Sequence, residues 1–505
     1  MSLAESLDYD LMNETRSFVG ETTKLMINGE FVASDSGKTI DVIDPATGKV
    51  FAQAYMGGKS DIDKAVKAAR AAFENPTWSR MPSHERQRLM LRLADLMEEN
   101  AKLFNELEVI DNGLPMQIAS MGMFPFCSNM IRYYAGWATK ISGDTLPSSP
   151  FGLPPDAETL TYTLKEPIGV VGAITPWNFP VGMLVLKLGP ALATGCTMVI
   201  KPAEQTPMTA ALVAKLIKEA GFPDGVVNFV NGFGEEAGAA LADHPDVDKI
   251  SFTGSTAVGK KIIHASTGNL KKVSLELGGK SPVVVFPDAD FEQAIPGALR
   301  AAFFLQGQNC MAGTRLFVHE KIYDQFVGGL SEAMNFFKLG PGMDPETTLG
   351  PLISATQKER VMGFIDSGQQ EGAELVRGGG SPDSPGYFVE PTLFSCPSGE
   401  LNIVKNEIFG PVLCAERFGD EDLDEIARRA NSTIYGLSGS VWTRDLSTAH
   451  RMARRIDSGQ VGINVHAALD PATPFGGNKQ SGWGREFGKE ALDLYVKVKA
   501  VTAVL

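Results

Sequence analysis

The sequence predicts an α/β protein: a doubly wound parallel sheet, a second α/β unit and a small antiparallel sheet. Three observations carry this. Across residues 167–278, near-continuous Val/Ile runs alternate with amphipathic segments at short intervals, as in a parallel sheet covered by helices on both faces. A second alternating region opens at Val283-Val284-Val285-Phe286 and runs to about residue 463. Two further stretches, 159–164 and 495–501, alternate polar with apolar residues as exposed strands do.

In chain order, residues 1–21 read as a mobile or loosely docked arm. Residues 24–44 pair apolar residues around Asn28-Gly29 and Ser36-Gly37, which predicts small antiparallel strands. Helical spacing takes over at 61–73 and 83–107, with Ser60 and Ser83 as N-caps, and continues through 123–140. A Pro/Ser/Gly-rich loop then leads to the strand at 159–164. Strands follow at 168–174, 197–201, 226–230, 249–252 and 273–277, with helices at 181–192, 206–220 and 255–265. Sheets of this kind bind nucleotides at the carboxyl ends of their strands. Beyond them come a helix at 291–305, a strand at 316–319 and a helix at 322–337. Gly378-Gly379-Gly380 reads as a turn, and Asp288-Ala289-Asp290 as a helix cap rather than a metal site.

The predicted organisation is an arm (1–21), a nucleotide-binding domain (22–142 and 167–278), a second α/β domain (279–475) and oligomerisation elements (143–166 and 476–505). Exposed strands at 159–164 and 495–501 make poor lone edges. They are expected to complete a sheet between subunits, in a homo-oligomer, with a tetramer favoured over a dimer, and a purely intrachain hairpin is the competing reading.

Composition narrows the partners. The 505 residues leave room for roughly three domains. With 46 basic against 60 acidic residues, the net charge of −14 argues against nucleic acid or an anionic membrane. Lys187 and several glycines interrupt the best apolar run, so no membrane span is expected. Glu5, Asp8, Asp10 and Glu14 against Arg16 fit neither a signal nor a transit peptide. Cys127, Cys196, Cys310, Cys396 and Cys414 form no CxxC pair, which predicts neither disulfides nor zinc and suits a reducing cytoplasm. The six histidines show no HExxH spacing, so no catalytic metal is expected.

Chemistry is expected around Cys310, in Phe303-Phe304-Leu305-Gln306-Gly307-Gln308-Asn309-Cys310-Met311-Ala312-Gly313. A catalytic thiol needs an uncrowded backbone, an approach path and an environment favouring thiolate. The plain alternative is an ordinary buried cysteine. Upstream, Phe252-Thr253-Gly254-Ser255 follows a strand and opens a helix, where backbone N–H groups and the helix dipole can face an anion. Gly232-Phe233-Gly234 is another tight turn. In Lys201-Pro202-Ala203-Glu204, the acidic residue after the second strand can accept ribose hydroxyls and would repel a 2′-phosphate, favouring NAD over NADP. A solvated loop is the competing reading there.

Together these stretches resemble the aldehyde dehydrogenase superfamily. The resemblance rests on Ile174-Thr175-Pro176-Trp177-Asn178-Phe179-Pro180, Lys201-Pro202-Ala203-Glu204, Phe252-Thr253-Gly254-Ser255, Glu276-Leu277-Gly278-Gly279-Lys280, Gly307-Gln308-Asn309-Cys310, Glu407-Ile408-Phe409-Gly410-Pro411 and Pro474-Phe475-Gly476-Gly477. They occur in the family's order and span roughly residues 20–505. The resemblance implies NAD-dependent oxidation of an aldehyde, with Cys310 as nucleophile, Asn178 and the Cys310 N–H as oxyanion donors, and Glu276 as the base that hydrolyses a thioester. It places Lys201 and Glu204 on the adenine ribose, Trp177 and Ser255 near the pyrophosphate, and Glu407 on the nicotinamide ribose with Phe409 beside it. Thr175, Gly234 and Leu277 complete that cofactor set.

For the substrate it implies a channel lined by part of the 124–137 helix and by Phe179, Met183, Leu186, Phe304, Asn309, Met311, His466, Leu469 and Phe475. These are mostly apolar, which suits medium or aromatic aldehydes. The loop with Asn464, His466 and Asp470 is similar to that of bacterial phenylacetaldehyde dehydrogenases, and a plain loop role for His466 stands beside this. A coenzyme A-acylating enzyme, or a catalytically silent protein of the same fold, are the competing readings. Glu276 weighs against the first, and intact Cys310, Glu276 and Asn178 against the second.

Overall fold

Five parallel strands form the centre of the first sheet in the computed structural model, which describes residues 7–154 and 156–505. They are β1 (Val170–Ile174), β2 (Thr197–Lys201), β3 (Val227–Phe229), β4 (Lys249–Thr253) and β5 (Lys272–Glu276), in spatial order β3-β2-β1-β4-β5. Every residue of β1, β2 and β4 is buried, which is why their sequences are apolar runs rather than alternations. The chain leaves β1 for one side of the sheet and later returns to the other, and the crevice of such a sheet opens at that switch. Antiparallel pieces flank the core: Leu25–Ile27 beside β3, then Glu30–Val32, and Gly482–Trp483 beside β5. Asn28 and Gly29, both at positive φ, make the hairpin turn the sequence indicates.

Helix α1 (Pro180–Thr194) joins β1 to β2, α2 (Met208–Ala220) joins β2 to β3, and α3 (Thr256–Ser266) joins β4 to β5. Buried carboxylates from a neighbouring helix cap the first two: Glu108 accepts from the Val181 N–H at 3.0 Å and Asp111 from the Met208 N–H at 2.9 Å. Gly195 and Gly221, both left-handed, end them.

The second sheet runs through β6 (Pro282–Val285), β7 (Arg315–His319), β8 (Thr392–Ser395), β9 (Val412–Phe418), β10 (Ser438–Trp442) and β11 (Gln460–Ile463). Its order is β8-β9-β7-β6-β10-β11, all parallel, with Glu374–Arg377 antiparallel on the β8 edge. Helix α4 (Phe291–Phe303) follows β6 and is capped by Asp290, whose side chain accepts from the Glu292 N–H. Among the described residues no helix is long and apolar enough to cross a membrane.

Several local expectations are corrected. The segment 83–107 is two helices, Ser83–Glu99 and Ala101–Asn112, with Asn100 between them. Neither Ser60 nor Ser83 is an N-cap. Asp61 reaches back to the Gly58 N–H at 2.9 Å, so that helix begins at Lys59, and Ser83 is itself the first residue after Pro82. Asp288 caps no helix and instead accepts from the Thr443 hydroxyl and the Arg444 and Asp445 N–H groups. In the arm, residues 1–6 lie outside the described residues, while Leu7, Leu11 and Val19 are buried and Glu106 accepts from Met12 and Thr15. That part of the arm is firmly docked. The two exposed strands are not lone edges: Thr159–Pro167 and Val496–Val504 pair antiparallel within the chain over their whole length. Val496–Val504 remains the outer strand, with Val498 and Val504 exposed.

Candidate active site

Cys310 is presented by a backbone that turns sharply after α4. Leu305, Gln306 and Gly307 are consecutive left-handed residues, at φ 54°, 58° and 68°. Two non-glycine residues there store strain that surrounding bonds must hold. The Gln306 amide donates to the Gly113 carbonyl at 3.2 Å, and the Gln308 side chain accepts from the Ile353 N–H at 3.0 Å. A side chain on Gly307 would run into the Gly410 carbonyl, and one on Gly279 into that of Cys310. The loop after β5 therefore packs directly on the cysteine's main chain.

Two cavities meet here. The first, about 1100 Å³ counting its open mouth, holds all of Phe179, Met183, Leu186, Phe304, Asn309, Met311, His466, Leu469 and Phe475 in its wall, together with Phe126 and Phe487. The second, about 750 Å³, is lined by Trp177, Ser255, Leu277, Glu407 and Phe409, with Gln357 and Arg360. Cys310, Asn178 and Glu276 line both. Thr175, Lys201, Glu204 and Gly234 are not in the wall of the second cavity. Lys201 and Glu204 form a 2.9 Å ion pair at the end of β2, and the Thr175 N–H donates to the Lys201 carbonyl.

The second cavity combines a helix N-terminus, a buried carboxylate and two aromatic rings. Ser255 caps α3 by accepting from the Val258 N–H, so the dipole of that helix points toward the cavity wall. Gly278 lies so close to the Glu407 carboxylate that a side chain there would displace it, and the Gly279 N–H donates to Glu407 at 2.9 Å. Trp177 and Phe409 meet edge-to-face, ring centres 5.3 Å apart.

Electrostatics at the junction differ from the expectation of a favoured thiolate. Burial pushes the Cys310 thiol well up, and the Glu276 and Glu407 carboxylates add to this; the Met311 and Cys310 N–H groups pull only weakly the other way. Glu276 is itself pushed well above the carboxylate range, by burial and then by Glu486, against Lys187 and Arg485. One of its carboxylate oxygens is buried without a hydrogen-bond partner. Burial raises Glu407 to about 7. His466 is pushed down to about 4 by burial; its Nε2 lies 2.8 Å from the Met311 carbonyl and its Nδ1 2.9 Å from the Ser440 hydroxyl. The ring is thus neutral, with Nε2 donating and both nitrogens occupied by protein.

The family profile of the aldehyde dehydrogenases matches residues 31–501. The chain belongs to the aldehyde dehydrogenase family. It is 48% identical over 500 residues to aldehyde dehydrogenase 1 of Tanacetum cinerariifolium, covering 99% of this chain and 97% of that one. The aldehyde dehydrogenase of Bacillus cereus, solved as an NAD+ complex, superposes with a TM-score of 0.95 at 48% identity, covering 99% of this chain and 100% of that one. An indole-3-acetaldehyde dehydrogenase in complex with NAD+ superposes at 0.93 with 38% identity, over 99% and 98%.

This aldehyde dehydrogenase carries site residues that the sequence did not single out. Lys187, visible only as a break in an apolar run, is fully buried and donates to Glu486 at 2.6 Å and Thr253 at 2.8 Å. Glu486, Thr253 and Arg300 line the first cavity. A lysine in an otherwise apolar helix was the available signal for Lys187, since a buried charge requires a partner. Arg300 and Glu486 carried none.

Proposed function

We propose that this protein oxidises aldehydes to carboxylic acids with NAD, through a covalent intermediate on Cys310 that Glu276 hydrolyses. The observation that carries this is the shared wall: the thiol, the amide and the carboxylate line both the apolar cavity and the nucleotide cleft. The cleft residues fit NAD. Ser255 and its helix N-terminus suit a pyrophosphate and Glu407 a ribose, while the Lys201–Glu204 pair, outside the cleft wall at the end of β2, suits a second ribose whose 2′-hydroxyl is unphosphorylated.

In the apolar cavity the aldehyde carbon meets the Cys310 sulfur. Burial pushes the thiol toward its protonated form, so its proton must leave as the carbon–sulfur bond forms, and Glu276, in the same cavity wall, is the candidate base. The Asn178 amide and the Cys310 N–H hold the resulting oxyanion. NAD, when bound in the cleft, supplies the hydride acceptor that makes the thiohemiacetal a thioester. Once the thiol proton has passed from Glu276 to solvent, the carboxylate takes a proton from water, the hydroxide adds to the thioester carbonyl, and the acid leaves as the sulfur takes that proton and the thiol reforms. A carboxylate whose affinity for protons is raised by burial is the better base for this step.

The channel favours aromatic or medium apolar aldehydes, phenylacetaldehyde among them, and its similarity to an enzyme of indole-3-acetaldehyde supports an arylacetic substrate. His466 contributes only the edge of a neutral ring. The first sheet with its flanking segments serves as the NAD-binding domain, the second sheet as the catalytic domain, and the outer strand Val496–Val504 as a pairing edge in a homo-oligomer, a tetramer over a dimer. Unpaired cysteines suit the cytoplasm.

The test is Cys310→Ala, which abolishes NADH formation while NAD binding, read by fluorescence titration, stays intact; retained turnover would falsify the nucleophile assignment. Turnover in the absence of coenzyme A separates hydrolysis from acyl transfer.

A further inference from the structure

Arg300, on the last turn of α4, lines the same cavity as Cys310 but belongs to none of its chemistry. Its guanidinium makes no hydrogen bond, ion pair or ring contact with any described residue, whereas most arginines of the chain are paired. Arg70, Arg132, Arg417, Arg428, Arg429 and Arg455 all reach a carboxylate. The other ionisable groups in the wall are Cys310, Glu276, Glu486 and His466. His466 is neutral, so Arg300 is the only fixed cation lining the cavity among the described residues. Its residue is exposed, while Cys310, Asn178 and Glu276 are recessed. The cavity wall thus combines an exposed cation, the apolar side chains Phe126, Phe304, Leu469 and Phe487, and the recessed sulfur.

Resting on the reading of this cavity as the aldehyde channel, we infer that Arg300 selects aldehydes whose apolar body ends in an anionic group, a carboxylate at the far end from the aldehyde. The apolar wall desolvates the body of such a molecule. The guanidinium offers a planar fork for a carboxylate, and its partial exposure spares the pair a full desolvation penalty. Neutral aldehydes of the same shape enter as well but gain nothing from the mouth. In a chain of net charge −14 an anionic substrate is otherwise disfavoured over the surface as a whole, so one unpaired cation at the mouth has a large relative effect.

The experiment compares kcat/KM for two acid–ester pairs: terephthalaldehydic acid with its methyl ester, and azelaic semialdehyde with its methyl ester. The readout is the acid-to-ester ratio. Arg300→Gln is expected to lower that ratio about tenfold, as suits one charge-assisted pair at a half-open site. Arg300→Glu lowers it further, and Arg300→Lys, which keeps the charge without the fork, retains part of it. Raising salt on the unmodified enzyme lowers the ratio too, because a pair at the mouth is screened. A ratio that responds neither to substitution nor to salt overturns the inference while leaving the channel reading intact. If the unmodified enzyme oxidises neither acids nor esters, the channel reading itself falls, and the inference with it.

Discussion

The Asn178 side-chain amide donates to the Gln308 main-chain carbonyl at 2.9 Å, bridging the loop after β1 to the turn that carries Cys310. One amide hydrogen holds the two loops together, which leaves the second for the oxyanion in the proposed mechanism. Asn178→Ala should therefore cost ~100-fold or more in kcat. A rapid-mixing measurement of the first turnover checks this. A loss confined to KM would point to substrate packing instead.

Glu276 should show itself in the pH profile. Burial and Glu486 raise its proton affinity, so on acidification it is protonated above the ordinary glutamate range. Deacylation should fall through that higher pH, and Glu276→Gln should remove this limb and leave a pre-steady-state burst of NADH. Stability carries the opposite sign. The unfolded chain releases this proton near about pH 4.3 and the folded chain only at higher pH, so an ionising Glu276 costs stability once pH exceeds the unfolded value. Glu276→Gln should accordingly gain more in denaturation midpoint at pH 8 than at pH 5. An identical gain at both would contradict the raised affinity.

Lys187 and Glu486 form a buried pair at 2.6 Å, both almost wholly shielded from solvent. Lys187→Met leaves Glu486 buried without its cation and should cost about 3–5 kcal/mol, read by urea denaturation. Adding Glu486→Leu removes the orphaned charge and should recover most of that loss. A double variant as unstable as the single one would show that the pair's packing, not its charge, supports the fold.

Glu204 pairs with Lys201 at 2.9 Å at the carboxyl end of β2. If the pair holds the adenine ribose as proposed, Glu204→Ser removes a carboxylate that would repel a 2′-phosphate and frees the lysine to meet it. The ratio of kcat/KM with NAD to that with NADP should fall by about tenfold or more, about 1.4 kcal/mol per tenfold. An unchanged ratio would move the adenine ribose away from these residues.

Much of this architecture was legible in one dimension because its signals are local. The β-branched runs of β1, β2 and β4 identify buried parallel strands. Gly195 and Gly221 end helices because their left-handed φ suits residues without a Cβ. The strings around Asn178, Glu276, Cys310 and Glu407 were visible as motifs, and each reached the wall of a cavity. Helix starts were less legible, because Asp61 and the buried carboxylates Glu108 and Asp111 satisfy N-termini from positions that local rules do not weigh.

By itself, then, the sequence determined most of the strand and helix order, the family, the cofactor class and which side chains are candidates for the chemistry. Only the tertiary structure decided that burial pushes the Cys310 thiol toward its protonated form, that Lys187 has Glu486 as its partner, and that Arg300 has none among the described residues. Those properties are sums over neighbours distant in the chain. Burial and charge act through space, and Lys187 and Glu486 are 299 residues apart yet joined by a single hydrogen bond.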